Sequence, residues 1–99
     1  YGGLKRTYTL IACSYASEAA RQARWRRPKG RVSVTCRWFE RDARRDPDNV
    51  MGGVKWLLDG IVKAGVIADD SQRYVGRISH EIGIRRNAGV EVVIEEMAP

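Results

Sequence analysis

The stretch RVSVTCRWF, residues 31–39, decides the fold because apolar and polar side chains alternate along it. An extended chain places alternate side chains on opposite faces. One face holds Val32, Val34, Cys36 and Trp38, and the other holds Arg31, Ser33, Thr35 and Arg37. The alternation therefore predicts a half-buried β-strand with one face in a core.

A turn and a second helix are predicted downstream of this strand. Pro47 biases Asp46 toward an extended conformation and permits no helix through it. Apolar residues then recur at i, i+4, i+7, i+8, i+11 and i+12, which is the period of an amphipathic helix. These residues are Val50, Val54, Leu57, Leu58, Ile61 and Val62. Gly65 is the predicted C-cap of this helix.

The remaining segments complete a single domain. We predict strands over residues 74–84 and 90–95, joined by a loop at residues 85–89. Upstream, residues 7–12 are predicted as a short strand and residues 17–27 as a helix that Pro28-Lys29-Gly30 stops. The order implies one α+β domain over residues 1–99, with a mixed β-sheet of about four strands flanked by two helices.

Charge is unevenly distributed along the chain. The 99 residues carry a net charge of +6, with +9 in residues 1–45 and −3 in residues 46–99. Of the 18 cations, 14 are Arg, whose planar guanidinium matches phosphate. This pattern favours a polyanionic partner together with a separate carboxylate site. The alternative is an ordinary solvated charged surface.

Cysteine, histidine and hydropathy limit the other classes of function. Cys13, Cys36 and His80 lack the spacing of a zinc site. We expect both cysteines to be reduced core residues of an intracellular protein and His80 to be a structural strand residue. No apolar stretch approaches the roughly 20 residues that span a bilayer. We therefore expect a soluble cytoplasmic protein with no membrane partner.

Three acidic residues are candidates for a metal site. Asp46 and Asp48 lie two residues apart in a segment that Pro47 holds extended, and Asp70 comes from a separate loop. Three carboxylates supply the hard oxygen ligands that Mg²⁺ and Mn²⁺ prefer. The alternative is structural, because Asp-Pro-Asp-Asn before a helix is also a natural turn and N-cap.

Residues 44–72 carry a specific combination of motifs. These are Arg44-Arg45-Asp46-Pro47-Asp48-Asn49, then Lys55 with Asp59-Gly60, then Gly65-Val66-Ile67-Ala68-Asp69-Asp70-Ser71-Gln72. With them, the chain resembles the RusA-type Holliday junction resolvases, a family often carried by prophages. The resemblance covers about 30 residues closely, and the order of the other elements agrees loosely.

The resemblance implies an activity and assigns residues to it. Members of the family are homodimeric, Mg²⁺-dependent endodeoxyribonucleases that nick four-way DNA junctions symmetrically in recombination and repair. Matched by position, the essential acids fall on Asp46, Asp48 and Asp70, and the essential lysine falls on Lys55. The acids would hold Mg²⁺, or Mn²⁺ in its place, and Lys55 would neutralise charge at the scissile phosphate. No small-molecule cofactor is implied.

The spacing of the lysine departs from the family pattern. Lys55 lies six residues after Asn49, where the family usually has three. Two glycines inside a helix cost about 2 kcal/mol relative to alanine. Gly52-Gly53 therefore predicts that the extra residues form a loop and that the helix begins near Val54, with Lys55 in its first turn. The alternative role for Lys55 is an i, i+4 ion pair with Asp59.

Basic residues in the first half fit a nucleic-acid partner. Arg41, Arg44 and Arg45 are expected to bind phosphates and Lys55 to join them. A helix face and a strand face are expected to follow duplex arms, at Arg21, Arg24, Arg27, Arg31 and Arg37. Trp25 is expected to be a core or dimer contact.

Two other functions stay open. One is a catalytically inactive DNA-binding protein of the same fold, which predicts binding without turnover. The other is a basic RNA- or ribosome-associated domain whose acids are scattered turn residues. The apolar side of residues 31–39 and the second helix are candidate dimer interfaces. The family's N-terminal strand has no counterpart here, and we expect that it is missing.

Overall fold

The computed structural model describes residues 2–98 and, within the first helix, side chains from Leu10 onward. The elements are α1 (Gly2–Ala23), β1 (Val32–Glu40), α2 (Pro47–Val50), α3 (Val54–Lys63), β2 (Val75–Ile84) and β3 (Gly89–Glu96). A 3-10 turn, Met51–Gly53, joins α2 to α3. The predicted α+β class is confirmed.

The sheet is built around β1. Its strand order is β2-β1-β3, with β1 parallel to β2 and antiparallel to β3, so the sheet is mixed as predicted. Val32, Val34 and Cys36 are fully buried and Trp38 is nearly so, which confirms the alternation in residues 31–39. The Trp38 indole N–H donates to Nδ1 of His80 at 2.9 Å, so His80 is a structural residue of β2.

The helix between β1 and β2 covers the apolar face of the sheet. Leu57, Leu58 and Ile61 of α3 are buried and belong to the same core cluster as β1. Gly65 ends this helix with a φ of +77°, a left-handed conformation that glycine adopts without the Cβ penalty. The helix begins at Val54 as predicted. Its C-cap is Ala64, and the predicted Gly65 lies one residue later. The extra residues form the 3-10 turn and not an open loop.

The first part of the chain differs from the prediction. Residues 7–12 are helical and not a strand, and the predicted helix over residues 17–27 begins earlier and ends at Ala23. Ala12 is buried and Ala16 and Ala20 are partly buried against the core, and α1 packs on α3. Small side chains four residues apart form a helix face, and this packing outweighs local strand propensity. The sheet consequently has three strands and not about four.

The candidate dimer interfaces are used within the domain. The apolar side of β1 and the apolar side of α3 are both buried in the core of a single chain.

Cys13 and Cys36 are both free thiols, and burial raises the pKa of the Cys36 thiol. Within residues 2–98, no helix is both long and apolar enough to cross a membrane.

Two isoleucines test the position of the core. Ile67 is 2 % exposed, whereas Ile84 is 64 % exposed at the end of β2. Ile67→Ala should lower the free energy of unfolding by about 2–5 kcal/mol, because it leaves a cavity. Ile84→Ala should change it by less than about 0.5 kcal/mol. Urea denaturation measures both, and equal losses would contradict this core.

Candidate functional site

Lys55 is the centre of a charged cluster. Its Nζ lies 2.7 Å from Oδ2 of Asp70 and 3.1 Å from Oδ1 of Asp59. Lys55 is in the first turn of α3, Asp59 is one turn further along that helix, and Asp70 is in the loop before β2. The structure therefore joins the predicted lysine to one of the three predicted acids.

The loop that carries Asp70 is fixed at both ends. Val66 and Ile67 are buried in the core just before it. After it, the carbonyl of Ser71 accepts hydrogen bonds from the backbone N–H groups of Tyr74 and of Val75, the first residue of β2. This anchoring places the Asp70 carboxylate against α3, where its side chain is 25 % exposed.

The cluster sets the charge of its members. The hydrogen bonds from the ammonium group to Asp70 and Asp59 raise the pKa of Lys55. The hydrogen bond from Lys55 lowers the pKa of Asp70, and partial burial of that carboxyl opposes this effect. At neutral pH, a lysine cation is consequently held between carboxylates. The sequence left a choice between a catalytic Lys55 and an ion pair with Asp59, and the structure contains the ion pair together with the shorter contact to Asp70.

Asp46 and Asp48 lie at the start of α2. Asp46 is the N-cap residue, with φ −69° and ψ 153°, and its carbonyl accepts hydrogen bonds from the N–H groups of Asn49 and Val50. Its side chain makes no capping hydrogen bond. Both carboxylates are exposed. The backbone thus forms the turn and N-cap that the sequence offered as the alternative to a metal site, while the two carboxylates face solvent.

The three predicted metal ligands do not form one group. Among the side chains of residues 10–98, no three His, Cys, Asp or Glu residues are arranged so that they could hold a metal ion. Asp70 is instead hydrogen-bonded to Lys55. The three carboxylates are therefore not brought together around one point among the described residues.

The arginines predicted to bind phosphate precede Asp46. Arg44 pairs with Asp42 at 3.5 Å, and Arg45 pairs with Glu40. Arg41 is exposed and has no ion pair with any side chain that the structure describes. Two of these three arginines are therefore already paired with carboxylates.

One contact near the cluster was not predicted. The indole N–H of Trp25 donates to the carbonyl of Val66 at 2.9 Å and so ties the segment after α1 to the loop that carries Asp70. Trp25 is half-buried against the core, in agreement with one of its two predicted roles. The only signal in the sequence was an apolar aromatic residue inside an arginine-rich segment.

The fold and the cluster define a class of domain. It is an α+β domain in which the crossover between two parallel strands carries a lysine held by two carboxylates. No family model, no curated protein and no solved structure matches the chain.

The ionisation of Asp70 tests the cluster. In Lys55→Met, the pKa of the Asp70 carboxyl should rise from its lowered value, because the hydrogen bond and the positive charge of Lys55 are lost. In Asp59→Asn, the pKa of Asp70 should stay lowered, because Lys55 is still present. Carboxyl NMR titration measures both values. An unchanged Asp70 in Lys55→Met would show that the contact is absent in solution.

The same pair predicts the sign of a stability change with pH. Because the folded-state pKa of Asp70 is lowered, its stabilisation is complete above the unfolded value of about 3.9. It is lost as pH falls through the folded-state value. Thermal unfolding of the wild type and of Asp70→Asn should therefore converge toward strongly acidic pH, and a constant difference would contradict the prediction.

Proposed function

We propose that this chain is a Mg²⁺-dependent endodeoxyribonuclease that binds branched DNA and resolves four-way junctions by symmetric hydrolysis of phosphodiesters. The observation that carries the proposal is the 2.7 Å contact between Lys55 and Asp70. These residues belong to two separate motifs of the resemblance, and the contact is what a shared site would require.

Lys55 has a defined role in this proposal. Its cation would approach a non-bridging phosphate oxygen and stabilise the negative charge that develops during hydrolysis. Asp59 and Asp70 fix the position of the ammonium group and keep it protonated. Neither role needs a conformational change in α3, since Lys55 is 61 % exposed.

The resemblance assigns Mg²⁺ to Asp46, Asp48 and Asp70, with Mn²⁺ as a substitute. A divalent ion, when bound, would polarise the phosphoryl group and activate water. Because these three side chains do not form one group in the structure, we assign no step of the reaction to the ion. The proposal for this chain's own residues rests on Lys55 and Asp70.

Symmetric nicking of a four-way junction requires two sites, and we propose a homodimer for this reason. The apolar faces of β1 and α3 are occupied within the domain, so the interface would use another surface. Work on DNA in recombination and repair would place the protein in the cytoplasm.

A second candidate is a DNA-binding protein of the same fold that does not hydrolyse DNA. Two observations favour it: the predicted acids do not form a group of three, and Lys55 is already paired with two carboxylates. Both candidates bind branched DNA, and they differ only in whether the protein cleaves it.

Cleavage of a labelled four-way junction in Mg²⁺, beside linear duplex DNA, tests the proposal. Asp70→Asn should lower the rate of paired nicking by at least about 100-fold and retain junction binding. Asp59→Asn is the matched control, because it also removes a carboxylate from Lys55 but not a predicted ligand. We expect it to cleave within about tenfold of the wild type.

The other outcomes separate the candidates. Junction binding without cleavage in Mg²⁺ or Mn²⁺ would replace the nuclease with the non-catalytic DNA-binding protein. Equal losses in both variants would show that the cluster acts only by positioning Lys55. Neither binding nor cleavage would remove both candidates and favour the RNA-associated alternative.

A further inference from the structure

Two sets of cations in this domain differ in their surroundings. Several arginines are neutralised by a neighbouring carboxylate, and the pairs are Arg21–Glu18, Arg37–Glu81, Arg44–Asp42, Arg45–Glu40 and Arg85–Glu91. Residues 24–31, which we call the arginine loop, contain five cations and no acidic residue. All five are exposed, and none forms an ion pair with a side chain that the structure describes.

The arginine loop is held in place at several points. Its Trp25 donates its indole N–H to Val66 and its backbone N–H to the carbonyl of Ala20, each at 2.9 Å. Pro28 is buried, and the carbonyl of Arg31 accepts a hydrogen bond from Met97. Anchored cations lose less conformational entropy when they bind a ligand than cations on a free chain do.

The loop lies at the end of the sheet where β1 and β2 begin, near the segment that carries Asp70. The backbone N–H of Val32, directly after the loop, donates to the carbonyl of Tyr74 at 2.8 Å, just before β2. A Cβ added at Gly76 would lie 2.8 Å from Nε of Arg31, so this guanidinium covers the start of β2. Arg44 and Arg45, in contrast, follow the other end of β1.

We infer that the arginine loop binds the sugar-phosphate backbone of double-stranded DNA and leads it toward the cluster of Lys55 and Asp70. Guanidinium groups form paired hydrogen bonds with phosphate, and the loop presents them without competing carboxylates. Its only aromatic residue, Trp25, is anchored and half-buried, which favours backbone contacts over stacking on unpaired bases. The inference takes the nucleic-acid partner from the proposed function but does not depend on hydrolysis.

Two triple variants with the same change of charge test the inference. The first is Arg26→Gln, Arg27→Gln and Lys29→Gln in the arginine loop. The matched control is Lys63→Gln, Arg77→Gln and Arg86→Gln, which also removes three exposed positive charges, at residues to which no role in binding is assigned. Binding to labelled linear duplex and to a four-way junction is measured by fluorescence anisotropy in EDTA, over a range of salt concentrations, so that cleavage does not contribute.

The loop variant should bind both DNAs more than about tenfold more weakly than the wild type. Its slope of log K against log salt should be shallower by up to about 2.7, because each phosphate contact contributes about 0.9. The control should stay within about threefold of the wild type. Circular dichroism checks folding, and Arg26→Gln alone, with a slope change of about 0.9, replaces the triple variant if that variant unfolds.

Other results overturn either the inference or the proposed function. Equal losses in the two triple variants would show that binding depends on general positive charge and not on the loop, and a loss in the control alone would place phosphate binding outside the loop. Tighter binding to duplex RNA than to duplex DNA would change the partner. Loss of binding in the loop variant together with no cleavage by the wild type in Mg²⁺ would reject the endonuclease and leave this surface in place.

Discussion

The parallel pairing of β1 with β2 is the constraint on which the rest of the structure depends. Parallel neighbours cannot be joined by a tight turn, so the chain must cross from one end of the sheet to the other. Residues 41–74 make this crossover, and they contain every acid and lysine of the candidate site. The helix of the crossover also covers the apolar face of β1. The same segment therefore supplies both a part of the core and the lysine cluster.

Within the crossover, packing decides which charges meet. Val66 and Ile67 are buried in the core before Asp70, and the turn that begins at Ser71 leads into β2 after it. These two anchors hold the Asp70 side chain beside α3. The turn that carries Asp46 and Asp48 is anchored by the buried Val50, whose backbone N–H donates to the Asp46 carbonyl. The two carboxylates are nevertheless exposed, and the Asp46 side chain makes no capping hydrogen bond.

The sequence predicted the elements whose pattern is strong and local. Alternation in residues 31–39 identified β1, the helical period with Gly65 identified α3, and the last two strands were placed within one residue at each end. The prediction of a strand over residues 7–12 was wrong because it used local strand propensity alone. Packing of Ala12, Ala16 and Ala20 against the core favours a helix over this segment. The contact of Lys55 with Asp70 was implied only by the resemblance, since it joins residues 15 positions apart through tertiary structure.

The lysine cluster has a consequence for how a polyanion would approach. One ammonium between two carboxylates gives the cluster a formal charge of −1, so it repels phosphate at a distance. The arginine loop has a formal charge of +5 and no internal counter-charge. Its potential reaches about 10 Å at 0.1 M ionic strength. Capture would thus be long-ranged and sensitive to salt. Binding of a phosphate by the remaining N–H of Lys55 would instead be opposed by the two neighbouring carboxylates, a short-range repulsion that salt affects far less.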